Sequence, residues 1–300
     1  MQNAESLRRT IAVTQELQSV VKTMKALAGV NIRQYERAAH AVAEYNHTVE
    51  MGLHVALQKL QSLPEGRTGS EQGRSGKLGA IIFGSDQGMC GQLNDQVVQY
   101  AARALGKLHR HHPEELLVAV GIRAASQLEG LGRQLEGTVQ VPGSVAGITA
   151  AVDGVLRQID DWHFQRGVEF VVLFNARPVS GAWYRIRGVR LLPVDEEWIH
   201  SLTARPWPGR TIPMFTMDAV QLFRALIREY LFVSIYRAFA ESLASENASR
   251  LASMQVAERN IEERLRTLTG DSRRLRQETI TSELLDTISA SEALRPRNAR

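Results

Sequence analysis

The chain has 300 residues, 44% hydrophobic and 23% charged, with a formal net charge of +4. That is apolar material enough for one large or two ordinary domains with real cores. Aromatic residues make up only 6% and no basic run interleaves with them, which argues against a nucleic-acid surface, and no apolar run reaches membrane-spanning length.

At the N-terminus, Val13, Leu17, Val20, Met24, Ala28, Ile32, Tyr35, Ala39, Val42, Asn46, Val49, Leu53, Ala56 and Leu60 recur by threes and fours. This is a heptad seam with one extra step of four near Ala28, which would locally unwind a supercoil. No proline precedes Pro64, and the only earlier glycines are Gly29 and Gly52. The pattern predicts a shaft helix within residues 1–63, roughly 85 Å long at ~1.5 Å per residue. An amphipathic pattern that begins almost at Met1 is not that of a signal peptide.

Residues 64–76, rich in Gly, Ser and Arg, read as a flexible link. Gly73-Arg74-Ser75-Gly76-Lys77 at its end looks briefly like a phosphate loop. Its glycine spacing is too short, and it precedes a strand where such a loop follows one.

Residues 77–211 read as a central Rossmann-like α/β domain. Strand-like runs at Leu78–Gly84, Leu116–Gly121, Gln134–Val141, Val168–Asn175 and Tyr184–Val194 enclose helical stretches at Gln92–Leu108, Ile122–Glu129 and Ser144–Trp162. This alternation predicts a mainly parallel sheet with helices on its faces.

The most distinctive segment is Gly84-Ser85-Asp86-Gln87-Gly88-Met89-Cys90-Gly91-Gln92-Leu93-Asn94, at the end of the first strand, where open α/β sheets bind ligands. Cys90 is the only cysteine, so no intrachain disulfide can form, and the cytosol is the natural compartment. As a nucleophile Cys90 would need a base or a helix N-terminus; a packed side chain in a tight turn is the simpler reading. His109, His111 and His112 lack further donors for a metal. Asp160 and Asp161 are adjacent and face different ways, and with Asp153 they make no acid–base pair. No catalytic, metal or cofactor site is expected.

A Pro-rich stretch, Arg205–Pro213, leads into a second long helix within residues 212–295, followed by a tail over 296–300. Val220, Phe223, Ile227, Tyr230, Leu251, Met254, Ile261, Leu265, Leu268 and Leu275 mark its apolar positions. It could reach about 120 Å and outlasts the first helix by roughly two dozen residues. A helix that long needs packing along its face, so an antiparallel partner within the chain cannot cover it all. Arg273, Arg274 and Arg276 form a positive collar near its end. A helical bundle would use shorter helices.

Three blocks carry a family resemblance. Leu17–Arg33 (LQSVVKTMKALAGVNIR) is similar to the N-terminal helix of the gamma subunit of F-type ATP synthases, with Lys22, Met24 and Lys25 on its K-x-M-K element. Ser85–Asn94 (SDQGMCGQLN) resembles that family's S-D-R-G-L-C-G-G-L-N turn, with Gln87 for Arg and Gln92 for Gly. Leu231–Leu294 is the longest block, with Glu241, Ser242, Ser245, Glu246, Arg250, Met254, Arg276, Gln277, Ile280, Thr281 and Glu283 on family positions. Departures include Leu17 where the family usually has Thr, and Asp286-Thr287-Ile288-Ser289 where it usually has a Glu-Ile-Val run.

The resemblance implies a rotor without chemistry of its own. Its coiled coil would insert into a hexamer of alternating alpha and beta subunits, while the α/β domain would rest with the epsilon subunit on the membrane ring of c subunits. It implies rotor–stator contact through Lys22, Met24, Lys25, Arg276, Gln277, Thr281 and Glu283, and a place on the cytoplasmic side of a bacterial plasma membrane without insertion into it. Two other readings are a gamma subunit of a sodium-translocating paralogous ATPase and a non-rotary coiled-coil adaptor.

Overall fold

The computed structural model describes residues 4–61, 76–109, 112–179, 183–205, 207 and 213–293. The chain divides into two compact units, Met1–Leu27 with Ser253–Arg300, and Ala28–Ala252. Most of the link expected over 64–76 lies outside the described residues, as does the tail over 296–300.

Two long helices dominate: α1 (Ala4–Gln61) and, at the other end of the chain, a helix of 75 residues. Between them run β1 (Lys77–Phe83), α2 (Leu93–Leu108), β2 (Glu115–Val120), α3 (Ile122–Gly130), β3 (Gly137–Val139), α4 (Val145–Arg166), β4 (Val168–Val179), β5 (Trp183–Leu192) and α5 (Glu196–Ala204); the last helix, α6, is Ala219–Ala293. The strands form one sheet in the order β3-β2-β1-β4-β5. β1 pairs in parallel with β2 and β4, and β2 with β3, but β5 returns antiparallel to β4. The sheet is therefore parallel with one hairpin edge. β3 is shorter than the run Gln134–Val141 suggests.

Alternation along the strands builds a core on each face of the sheet. Ile81, Phe83, Val118, Val120, Val171 and Leu173 pack with α4 and α6. Leu78, Ala80, Ile82, Leu117, Ala119 and Phe174 face α2 and α3 on the other side. α5 has no counterpart in the sequence expectations. Asp195 caps it by accepting from Glu197 N at 3.1 Å, and Leu202 joins Val49, Leu53 and Val233 in a third apolar cluster.

The register of α1 corrects the expected seam. One row turned from solvent runs through Leu7, Ile11, Thr14, Gln18, Val21 and Lys25, then Ala28, Ile32, Tyr35, Ala39, Val42, Asn46, Val49, Leu53, Ala56 and Leu60. They alternate by fours and threes without a break, so α1 has no stutter near Ala28. Val13, Leu17 and Val20 are each more than half exposed. Three of the six inward positions before Ala28 are polar, so counting apolar residues selects a neighbouring row.

In the larger unit α1 and α6 run antiparallel: Asn31 approaches Asn247, and Tyr45 OH donates to Glu229 at 3.0 Å. In the smaller unit Lys25 pairs with Glu258, and Leu7, Met254 and Leu268 are buried. From Arg276 to Ser291 every residue of α6 is exposed. The longer helix does outrun its intrachain cover.

Candidate functional site

The seven rotor–stator contact residues that the family resemblance implies all lie in the smaller unit. Lys22 on α1, and Arg276, Gln277, Thr281 and Glu283 on α6, are exposed; Met24 and Lys25 are half-buried. Lys25 occupies the inward row, where its ammonium is committed to Glu258. Thr281 Oγ1 donates to its own helix at Gln277 O, 2.9 Å away. Gln277 and Thr281 line one shallow groove with Arg274, Glu278 and Leu285, as i, i+4 neighbours on a helix must. Beside them Leu284, Leu285 and Ile288 are more than half exposed. This surface offers apolar and polar contacts to a partner and holds no acid–base or nucleophilic pair.

In the larger unit the loop Ser85–Gly91 and α6 are joined by polar contacts. Asn94 accepts from Ser85 N at 2.9 Å and donates to Ser85 Oγ at 2.8 Å, which closes the turn. Ser249 Oγ donates to Cys90 O at 2.5 Å. Arg250 reaches Gln87 O and Gly88 O at 3.5 Å each, and binds Glu246 at 2.6 Å. Burial raises the Glu246 carboxyl above the ordinary carboxylate range, against the pull of Arg250. Asp86 accepts from Ile122 N and Val141 N, each at 2.9 Å. The crevice that binds ligands in other open α/β sheets is thus occupied here by the chain's own Asp86 and α6. Cys90 is buried, its thiol 3.5 Å from Ser85 Oγ, and takes the packed role.

A second anchor centres on Glu241. Arg187 Nη2 donates to it at 2.5 Å, Arg237 Nε at 2.8 Å and Asn175 Nδ2 at 3.2 Å, with Arg177 at 3.6 Å. It fastens α6 to β4 and β5. The family positions Glu241, Glu246 and Arg250 had marked this face. Arg187 and Asn175 had no sequence signal, because their role depends on the β4–β5 pairing.

The other candidates are structural. His112 Nδ1 lies 2.7 Å from Gly76 O and its ring stacks on Phe170; His111 is outside the described residues. Asp160 pairs with Arg228 at 3.6 Å, and Asp161 accepts from Gln165. Lys77, at the end of the loop-like glycine stretch, pairs with Glu114 at 2.7 Å. Among the described residues no group of His, Cys, Asp and Glu could hold a metal.

Two long helices, each contributing to both units, together with a five-stranded α/β sheet define a helix-pair protein of mixed α/β class. A family model described as ATP synthase matches residues 3–294, and the chain belongs to that family. Among curated relatives, the ATP synthase gamma chain of Geotalea uraniireducens (strain Rf4) is 26% identical over 296 residues, covering 98% of this chain and 100% of its own. That of Thermobifida fusca (strain YX) is 24% identical over 298 residues, covering 97% and 96%. A chain of the Euglena gracilis mitochondrial ATP synthase, in the OSCP/F1/c-ring assembly in rotational state 3, aligns with a TM-score of 0.63 at 15% identity, over 99% of this chain and 98% of that one. A central stalk/c-ring chain of the Tetrahymena thermophila mitochondrial enzyme gives 0.56 at 20% identity, over 79% and 99%. The structural likeness shows a shared fold.

Proposed function

We propose that this chain is the gamma subunit, the central-stalk rotor, of an F-type ATP synthase. The observation that carries the reading is the family match over residues 3–294, on a chain whose α6 runs uncovered from Arg276 to Ser291. A non-rotary adaptor would share the helix pair but not that match.

The role follows from differential binding. An asymmetric shaft inside a ring of alternating alpha and beta subunits contacts each nucleotide site differently, so three like sites become unlike. Turning the shaft changes which conformation each site favours, and this is a coupling free energy between rotation and nucleotide binding. Ion flow through a ring of c subunits supplies ~2.3 kcal/mol per charge at 100 mV, so torque must be carried through several ions per ATP. The Glu241 and Arg250 anchors suit that load, since each ties α6 to the α/β domain through charged hydrogen bonds.

Residues 1–63 and 212–295 serve as shaft and 77–211 as the domain that rests on the ring with the epsilon subunit. Lys22, Met24, Lys25, Arg276, Gln277, Thr281 and Glu283 contact the hexamer. No helix among the described residues is long and apolar enough to cross a membrane; the place proposed for the chain is peripheral, on the cytoplasmic side of a bacterial plasma membrane. Affinity purification of the tagged chain from its own host tests this. A gamma subunit brings down nucleotide-binding alpha and beta subunits in threefold excess; recovery without them contradicts the assignment.

A further inference from the structure

We propose that the larger unit carries an oxyanion site, of the size of inorganic phosphate, between α1, β5, α5 and α6. The inference does not rest on the rotor reading. A cavity of about 210 Å³ lies there, with Arg187, Trp198, Tyr230, Ser234 and Arg237 on its walls. The guanidiniums of Arg187 and Arg237 sit on the two oxygens of one carboxylate, Glu241, at 2.5 Å and 2.8 Å.

Charge does not balance around them. Among the described residues Arg177, half exposed, and Arg187 and Arg237 ion-pair with Glu241 alone, three positive charges against one negative. The cavity wall also includes Glu50, but Arg205 neutralises it at 3.0 Å and Asn46 donates to it at 2.8 Å. Nearby Asp195 is neutralised by Arg190 at 3.1 Å. A surplus of two positive charges remains at the Glu241 end. Burial lowers the Arg187 pKa; Glu241 opposes that shift, and Arg237 and Arg177 add to it.

Donors remain to receive that anion. A guanidinium carries five N–H groups; Arg237 gives Glu241 its Nε, and Arg187 gives one terminal nitrogen to Glu241 and its Nε to Asn175. Tyr230 and Ser234 add two hydroxyl groups to the cavity wall. Forked, charge-assisted donors are the arrangement that recognises phosphate and sulfate. Size selects among anions: a cavity of about 210 Å³ falls below the ~300 Å³ at which drug-sized sites begin, so a nucleotide does not fit and a free oxyanion does.

The test uses the full chain in phosphate-free buffer and titrates inorganic phosphate, followed by ³¹P line broadening and by calorimetry. The expected result is saturable binding in the millimolar range or tighter, competed by sulfate and not by chloride at equal ionic strength. Arg237→Gln should weaken binding by at least about tenfold, the loss of charged hydrogen bonds, while Arg228→Gln, in a different groove, should bind as the parent does. If Arg237→Gln fails to fold by circular dichroism, Arg237→Lys replaces it; it keeps the charge, loses the fork and should also bind more weakly. Absence of saturable phosphate binding by the parent chain overturns the proposal. So does parental affinity in whichever Arg237 variant is folded.

Discussion

Leu17 on α1 separates the observed register from the one that apolar counting selects, and Leu53, inward in both, is its reference. Leu53 is fully buried, against Val49, Leu202 and Val233, whereas Leu17 is 53% exposed. Leu53→Ala removes three carbons at about 0.8 kcal/mol each in lost transfer free energy, and the cavity left behind brings the total to about 3–5 kcal/mol. Leu17→Ala removes the same atoms from a surface and should stay within about 0.5 kcal/mol. At about 2–4 °C per kcal/mol for chains somewhat smaller than this, the first variant should melt at least about 6 °C lower and the second within about 2 °C of the parent. Scanning calorimetry of the two isolated variants measures the contrast. Equal losses would mean that the row through Val13, Leu17 and Val20 faces inward and that the unbroken seam is wrong.

Gly84→Ala places a Cβ 2.4 Å from Ala124 Cβ and 2.7 Å from Asn94 Oδ1, so it should cost about 1–3 kcal/mol or more and expose Cys90 to thiol reagents; unchanged labelling would contradict the tight turn. Glu246 has its carboxyl raised above 4.5 by burial. A raised acid contributes stability that is full below its unfolded pKa and lost as pH rises through the folded one. The melting point of the parent relative to Glu246→Gln should therefore fall as pH climbs from 4.5, and a constant difference would refute it. Gln277→Ala and Thr281→Ala, both exposed, should leave the melting point of the chain unchanged while lowering ion pumping per ATP hydrolysed in the assembled enzyme; unfolding of the isolated chain by either would sink the contact assignment.

Most of the architecture was legible because its signals are local. The strand runs and their intervening helices alternate cleanly, and the absence of proline between Pro213 and Pro296 marks one long helix. What was not legible depends on pairing. β5 returns antiparallel beside β4, and a single apolar run does not state its direction. α5 is only nine residues long, and its cap Asp195 directly follows the strand-like run that ends at Val194. In α1, Thr14, Gln18 and Lys25 occupy inward positions, so the more apolar row was the outer one. Lys25 shows the same limit at the candidate surface. Its motif gave no sign of its partner within the chain, Glu258, 233 residues away. Gln277 and Thr281, on a helix end without intrachain cover, needed no tertiary knowledge to be placed on a surface.

Rotation is the most direct test of the account. Asp153, exposed on α4, would be replaced by cysteine in a Cys90→Ala background and labelled with a bead, in complexes whose alpha and beta subunits are fixed to glass. On addition of ATP the bead should turn in one direction, pausing at three equivalent angles. ATP hydrolysis by the fixed complex with a bead that stays still or only fluctuates would contradict the claim that this chain is the rotor.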